Sequence, residues 1–164
     1  MIYDIKPVRI ATASQKAAVK ADILRARKAW RERTHARDGI YGYLQVVFEI
    51  GKRWKRERAG ISNSIIVRRH CNHPNSPESG MTRFPVIIWA TAELPAADKG
   101  KTRSKWSRLL QIAEEWDEKS IKVFAWETGG INKCLAEKAI FPAWCRRKAD
   151  TQSSTYSCRA IFER

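Results

Sequence analysis

Basic side chains at helical spacing are the residues of this sequence whose types and pattern best suit a chemical role. Lys20, Arg27 and Arg31 are separated by seven and four positions, which places them on one face of a helix. Five more basic residues lie within seven positions, namely Lys52, Arg53, Lys55, Arg56 and Arg58. Two further clusters are Lys101, Arg103, Lys105 and Arg108, and Arg146, Arg147 and Lys148. Because ammonium and guanidinium groups bind phosphate oxygens, we predict that these clusters contact a nucleic-acid backbone.

The alternative for each cluster is a solvated helix face, which is the usual role of a run of charges. Basic residues in the last turn of a helix also complement its dipole, which accounts for part of the cluster over 52–58. Few acidic residues lie four positions from these cations, and the basic excess recurs over 99–108. Both observations favour phosphate binding over a face that only meets water.

The sequence offers little for catalysis or metal binding. His70, Cys71 and His73 could ligate zinc with a further cysteine, but their spacing fits no established zinc motif. A nuclease that combines these histidines with Glu93 or Asp98 would need a carboxylate arrangement that the sequence does not display. Glycine-rich phosphate loops, serine-nucleophile motifs and His-Glu-x-x-His are absent from the sequence. We therefore predict a protein that is not an enzyme and that holds no cofactor or metal.

The net charge of the 164-residue chain, formally +15, also indicates a polyanionic partner. Residues 1–60 contain 15 basic and 6 acidic side chains, residues 61–100 contain 4 and 3, and residues 101–164 contain 13 and 8. Two basic ends thus flank a nearly neutral, apolar middle. Self-repulsion on this scale is commonly offset by binding nucleic acid.

The hydrophobic content of 43%, with seven tryptophans, predicts a folded protein rather than a basic disordered tail. The longest apolar run, residues 86–90, is far shorter than the roughly 20 residues that a membrane span needs. No export signal is recognisable near residue 1, and the four cysteines form no Cys-x-x-Cys pair. We expect a cytoplasmic protein with reduced thiols and no membrane partner.

Apolar periodicity predicts a mainly α fold with a basic helical hairpin over residues 14–60. Gly60 is expected to stop the second helix, and the β-branched Ile65–Val67 run suggests a short strand that joins the termini in a minor sheet. We divide the chain into an N-terminal part, residues 1–70, a loop, 71–83, and a C-terminal part, 84–164, which together could form one compact unit.

The C-terminal part is predicted to contain a buried helix from Phe84 and an amphipathic helix that follows the basic segment at 99–108. Carboxylates crowd the end of that amphipathic helix, where they oppose its dipole. Short helices on both sides of Gly129–Gly130, followed by a basic helix from Pro142, have the plan of a helix-turn-helix. In that interpretation Arg146, Arg147 and Lys148 face the major groove; the alternative is a helical corner that closes the core.

These patterns together predict a non-enzymatic nucleic-acid-binding protein of regulatory or accessory type, with duplex DNA favoured over RNA. One alternative is a protein-interaction module that acts on a nucleoprotein complex, which the abundant tryptophans favour. Another is an RNA-binding subunit. Reversal of Arg53, Arg56 and Arg58 to glutamate is predicted to weaken DNA binding without unfolding the chain. The oligomeric state is not predicted.

Overall fold

The protein folds into α-helices throughout the part of the chain that the structure describes. This computed structural model describes residues 11–33, 38–70, 82–95 and 98–140, and within these ranges there are seven helices and no strand. The helices are α1 (Ala13–Glu32), α2 (Gly39–Arg56), α3 (Gly60–His70), α4 (Arg83–Thr91), α5 (Lys99–Glu115), α6 (Ile121–Glu127) and α7 (Ile131–Ile140). The predicted mainly α class is confirmed.

Helices α1 and α2 form an antiparallel pair, since the end of α1 contacts the start of α2 and the middle of α1 contacts the end of α2. The Trp30 and Tyr43 rings meet near the connection, with centroids 5.1 Å apart and an edge-on orientation. At the other end of the pair, the Trp54 indole nitrogen donates a 2.8 Å hydrogen bond to Asp22. The apolar residues at spacings of three and four on both helices are buried.

Helix α4 lies at the centre of the core, in contact with α1, α2, α3 and α5. Every residue of this helix except Arg83 and Pro85 is buried. Pro85 occupies the first turn, where a missing N–H costs nothing. The Tyr43 hydroxyl reaches Thr91 of α4 at 2.7 Å, and burial raises the pKa of this phenol above its ordinary value. Residues from both predicted parts of the chain therefore share one hydrophobic core.

The predicted strand at Ile65–Val67 is wrong, because these residues belong to α3. Asn63, Ile66 and Val67 are buried together on one side of this helix, at the spacing of three and four that a helical turn produces. The Gln15 amide nitrogen of α1 also donates to Asn63 at 2.9 Å and to a neighbouring serine. Packing on α1 and α4 thus overrides the β propensity of the run.

Three helices end in the same left-handed turn. Arg58, Asp117 and Gly129, at φ values of 53°, 51° and 73°, each follow a helix end by two residues. After α2, the Arg58 N–H donates to the Lys55 carbonyl, and the next N–H donates to the Trp54 carbonyl, which is the Schellman pattern. An arginine therefore takes the position that the sequence assigns to a stop glycine, and Gly60 begins α3 instead.

The carboxylates at the end of α5 are matched by cations at the end of α2. Glu114, whose side chain is only 12% exposed, lies 3.4 Å from Lys55 and accepts a close hydrogen bond from Arg83. Asp117 accepts from Lys52 at 2.9 Å. These contacts offset part of the unfavourable dipole interaction of carboxylates at a helix end. Glu118 differs, since burial and the nearby charges of Glu127 and Asp117 raise the pKa of its carboxyl.

Helices α6 and α7 lie where the helix-turn-helix interpretation places its first elements. The Gln45 side chain of α2 accepts from the Ile121 N–H and donates to the Lys119 carbonyl, which fixes the start of α6. Helix α7 packs on α5, and its Cys134 is buried in the hydrophobic core. The predicted basic helix from Pro142, the terminal strands and most of the 71–83 loop lie outside the described residues. Within those residues, no helix is both long and apolar enough to cross a bilayer.

Candidate nucleic-acid interface

A groove between α1 and α3 has three cations along it. It has a volume of about 440 Å³, and Lys16, Lys20 and Arg27 are the charged residues that line it among those the structure describes. The remaining lining is apolar and consists of Ala17, Val19, Ile23, Leu24, Ile66 and Val67. The three cations are four and seven positions apart, so they form a row along α1 at one rim of the groove, beside its apolar floor.

Two of the predicted α1 cations are held by contacts to the end of α4 and the segment after it. The Arg27 Nε donates to the Ala90 carbonyl at 3.0 Å, so this guanidinium has a fixed position at one end of the groove. Arg31 lies 4.0 Å from Glu93, and both side chains are largely exposed, which makes this a weak surface pair. Lys16 and Lys20 are exposed, and neither makes an ion pair with a described residue.

The basic cluster at the end of α2 divides into two groups with different surroundings. Lys52, Arg53 and Lys55 each lie within ion-pair distance of a carboxylate: Asp117 for Lys52, Asp22 and Glu57 for Arg53, and Glu114 for Lys55. The hydrogen bond to Asp22 raises the pKa of the Arg53 guanidinium, and that from Lys52 lowers the pKa of Asp117. These three cations hold helices together and are occupied in doing so.

Arg56 and Arg58 form the second group, since both are exposed and make no ion pair with any described residue. They project from the end of α2 and from the left-handed turn that follows it. The sequence treats all five cations of the cluster alike, whereas the structure leaves only these two open to a partner.

The basic segment of α5 is also divided. Lys101 and Arg108 are exposed and seven positions apart, so they share one face of the helix. Lys105 instead donates to Asn132 of α7 at 3.3 Å, and Arg103 is half-buried. Arg146, Arg147 and Lys148 lie outside the described residues. The predicted site residues thus form several separate patches on the described surface.

Two residues with functional potential escape the sequence-based choice of site residues. Lys16 completes the row on α1, and its +4 spacing to Lys20 is a signal that would have included it. Trp126 is 86% exposed. A signal existed for it as well, because five of the seven residues of α6 are apolar and a helix cannot bury every side.

The described residues contain no group of three or more His, Cys, Asp or Glu side chains that could hold a metal ion. The zinc alternative around His70–His73 falls outside the described side chains and is not tested by this. No protein-family model, no curated protein and no solved structure matches this chain.

Proposed function

We propose that this protein is a non-enzymatic nucleic-acid-binding protein of regulatory or accessory type, which holds the phosphate backbone of duplex DNA along α1. One observation carries the proposal: Lys16 and Lys20 are exposed in one groove that Arg27 also lines, and neither lysine makes an ion pair with a described residue. Their mutual repulsion in the free protein is relieved when phosphates lie between them.

The dimensions of the row suit a polyanion strand. Residues 16 to 27 extend about 16 Å along the helix axis, a length of roughly five nucleotides at a rise of 3.4 Å each. Arg56 and Arg58, and Lys101 and Arg108, supply further exposed cations for the same class of contact. Such contacts position a duplex without reading its sequence.

The salt dependence of duplex binding tests the proposal. We expect the double variant Lys16→Gln/Lys20→Gln to weaken binding and to reduce the slope of log affinity against log salt by about 1.8, since each phosphate contact contributes about 0.9. The matched control, Arg25→Gln/Lys28→Gln, removes the same charge from cations that already pair with Glu49 and Glu32. If both double variants change the slope equally, only overall charge matters and the groove is not the site.

A second candidate, a protein-interaction module that acts on a nucleoprotein complex, is favoured by the apolar floor of the same groove. Leu24 is 54% exposed there, and Val19 and Ile66 lie beneath the cationic rim. Such a surface suits an acidic, amphipathic protein segment. Steep salt-dependent binding to bare duplex, single-stranded DNA or RNA favours direct nucleic-acid binding, and the form bound most tightly separates DNA from RNA. Weak and indifferent binding to all three would favour the protein-interaction module.

A further inference from the structure

A small aromatic slot lies between the start of α2 and the turn after α6. It has a volume of about 230 Å³ and is lined by Asp38, Tyr41, Ala125, Trp126, Gly129 and Gly130. Pockets for drug-sized ligands measure about 300 to 1,000 Å³, so this one suits a single flat ring system.

Trp126 is presented to solvent by the way α6 packs. Ile121, Phe124 and Ala125 face the core and are buried, which leaves Trp126 and Val123 on the outer side of the helix. The Trp126 ring makes no ring contact with any described residue, in contrast to Trp116, which packs edge-on against Phe124. The exposed indole is therefore not part of an aromatic cluster of the described core.

The turn after α6 is free of side chains at Gly130, whereas the Lys133 side chain lies against it at Gly129. Gly129 and Gly130 have φ values of 73° and 100°, and their N–H groups donate to the Trp126 and Ala125 carbonyls. A Cβ atom added to Gly130 would meet no atom within 4 Å. A planar group can therefore approach the backbone here without displacing a side chain.

Charged groups of both signs border the slot. The Asp38 side chain is exposed and makes no capping hydrogen bond to α2 and no ion pair with a described residue. The Lys133 ammonium lies close to the turn, since a Cβ added to Gly129 would be 3.5 Å from its Nζ atom. A hydrogen-bond acceptor and a cation thus border the same aromatic surface.

We propose that this slot binds an unpaired guanine of a nucleic-acid strand. The base stacks on Trp126 and Tyr41, as bases do on exposed aromatic rings. Guanine presents two N–H donors on its Watson–Crick edge, which match the two acceptor oxygens of the Asp38 carboxylate. Its phosphate lies toward Lys133. The strand context rests on the proposed function, but the residues involved are separate from the α1–α3 groove.

The indole N–H resonance of Trp126 in the full-length chain provides a direct test, once it is assigned with Trp126→Phe. We expect this resonance to shift and saturate on addition of a single-stranded trinucleotide with a central guanine, with weaker binding of its thymine counterpart and of free GMP. Tyr41→Ala is expected to weaken guanine binding by about five- to a hundredfold, the range of single-base stacking contacts. Asp38→Asn is expected to reduce the preference for guanine over thymine.

The outcomes separate the slot from the groove. A Trp126 resonance that does not move at several millimolar trinucleotide overturns the slot, whatever the duplex-binding assay shows. If the guanine and thymine trinucleotides bind equally tightly, the slot has no preference for guanine. If free GMP binds as tightly as the guanine trinucleotide, the ligand need not be part of a nucleic-acid strand. Trp126→Ala should leave the duplex salt slope unchanged, whereas Lys16→Gln/Lys20→Gln should leave the trinucleotide-induced shift of Trp126 in place.

Discussion

Asp22 is the residue whose removal we expect to destabilise this protein most clearly among its charged groups. It is buried, with 6% of its surface exposed, and it accepts hydrogen bonds from the Trp54 indole at 2.8 Å and from Arg53. Trp54 itself is fully buried, so its N–H has no access to water if the carboxylate is lost. An unpaired buried donor costs about 1–3 kcal/mol.

The Arg53 side chain contributes less to this estimate because 37% of it is exposed, so water can replace its lost partner. We therefore expect Asp22→Ala to lower the free energy of unfolding by about 2–4 kcal/mol. Asp22→Asn keeps an acceptor oxygen for Trp54 and loses the charge opposite Arg53, so its cost should be about 1 kcal/mol.

Urea unfolding at neutral pH measures both effects through the midpoint and slope of the transition. Glu49→Ala provides the matched control, since Glu49 pairs with Arg25 across the same two helices at 2.5 Å, but both side chains are about half exposed. We expect this control to cost less than about 1 kcal/mol. Equal costs for Asp22→Ala and Asp22→Asn, or a cost for Asp22→Ala no greater than that of the control, would refute the reasoning.

Two further substitutions give independent checks. Gly51→Ala would place a Cβ atom 2.1 Å from the ring of Phe84, and urea unfolding should show that the free energy of unfolding falls by about 1–3 kcal/mol. A Cβ atom at Gly42 would meet no atom within 4 Å, so Gly42→Ala should instead stabilise α2 by about 0.5–1 kcal/mol. Arg58→Gly removes the strain of an arginine in the left-handed backbone region and also removes an exposed cation. Thermal unfolding should therefore show unchanged or higher stability, while duplex binding weakens. Loss of stability in this variant would contradict the assignment of strain to Arg58, and unchanged binding would remove Arg58 from the interface.

The apolar period of the sequence is sufficient to predict most of the helices. Val19, Ile23 and Trp30 recur at helical spacing and are all buried, and the short helices predicted on both sides of Gly129–Gly130 are observed as α6 and α7. The period fails at α3, because three consecutive β-branched residues look the same in a buried strand and in a buried helix. Contacts with α1 and α4, which are distant in sequence, decide between them.

The functional role of each cation is much less accessible from the sequence. Arg53 and Arg56 are three positions apart in one dense cluster, yet only Arg53 reaches a buried carboxylate, which lies 31 positions earlier in the chain. Lys55 likewise finds its partner on α5, and Lys52 finds its partner in the turn that follows α5. Local charge density cannot distinguish a cation that ties helices together from one that is open to a ligand, because the distinction depends on which residues the fold brings opposite.

This distinction changes how the binding hypothesis should be tested. Replacing Arg53 by glutamate would place a second carboxylate next to the buried Asp22, and the two like charges would repel each other. The triple reversal that the sequence favours would therefore confuse a loss of folding with a loss of binding. The double variant Arg56→Glu/Arg58→Gly changes the exposed charge at the end of α2 and leaves the contact between Arg53 and Asp22 intact. If that pair of substitutions abolishes duplex binding in a protein of unchanged stability, the end of α2 contacts phosphate directly. If binding persists, the other predicted clusters, on α1, on α5 or over residues 146–148, account for it.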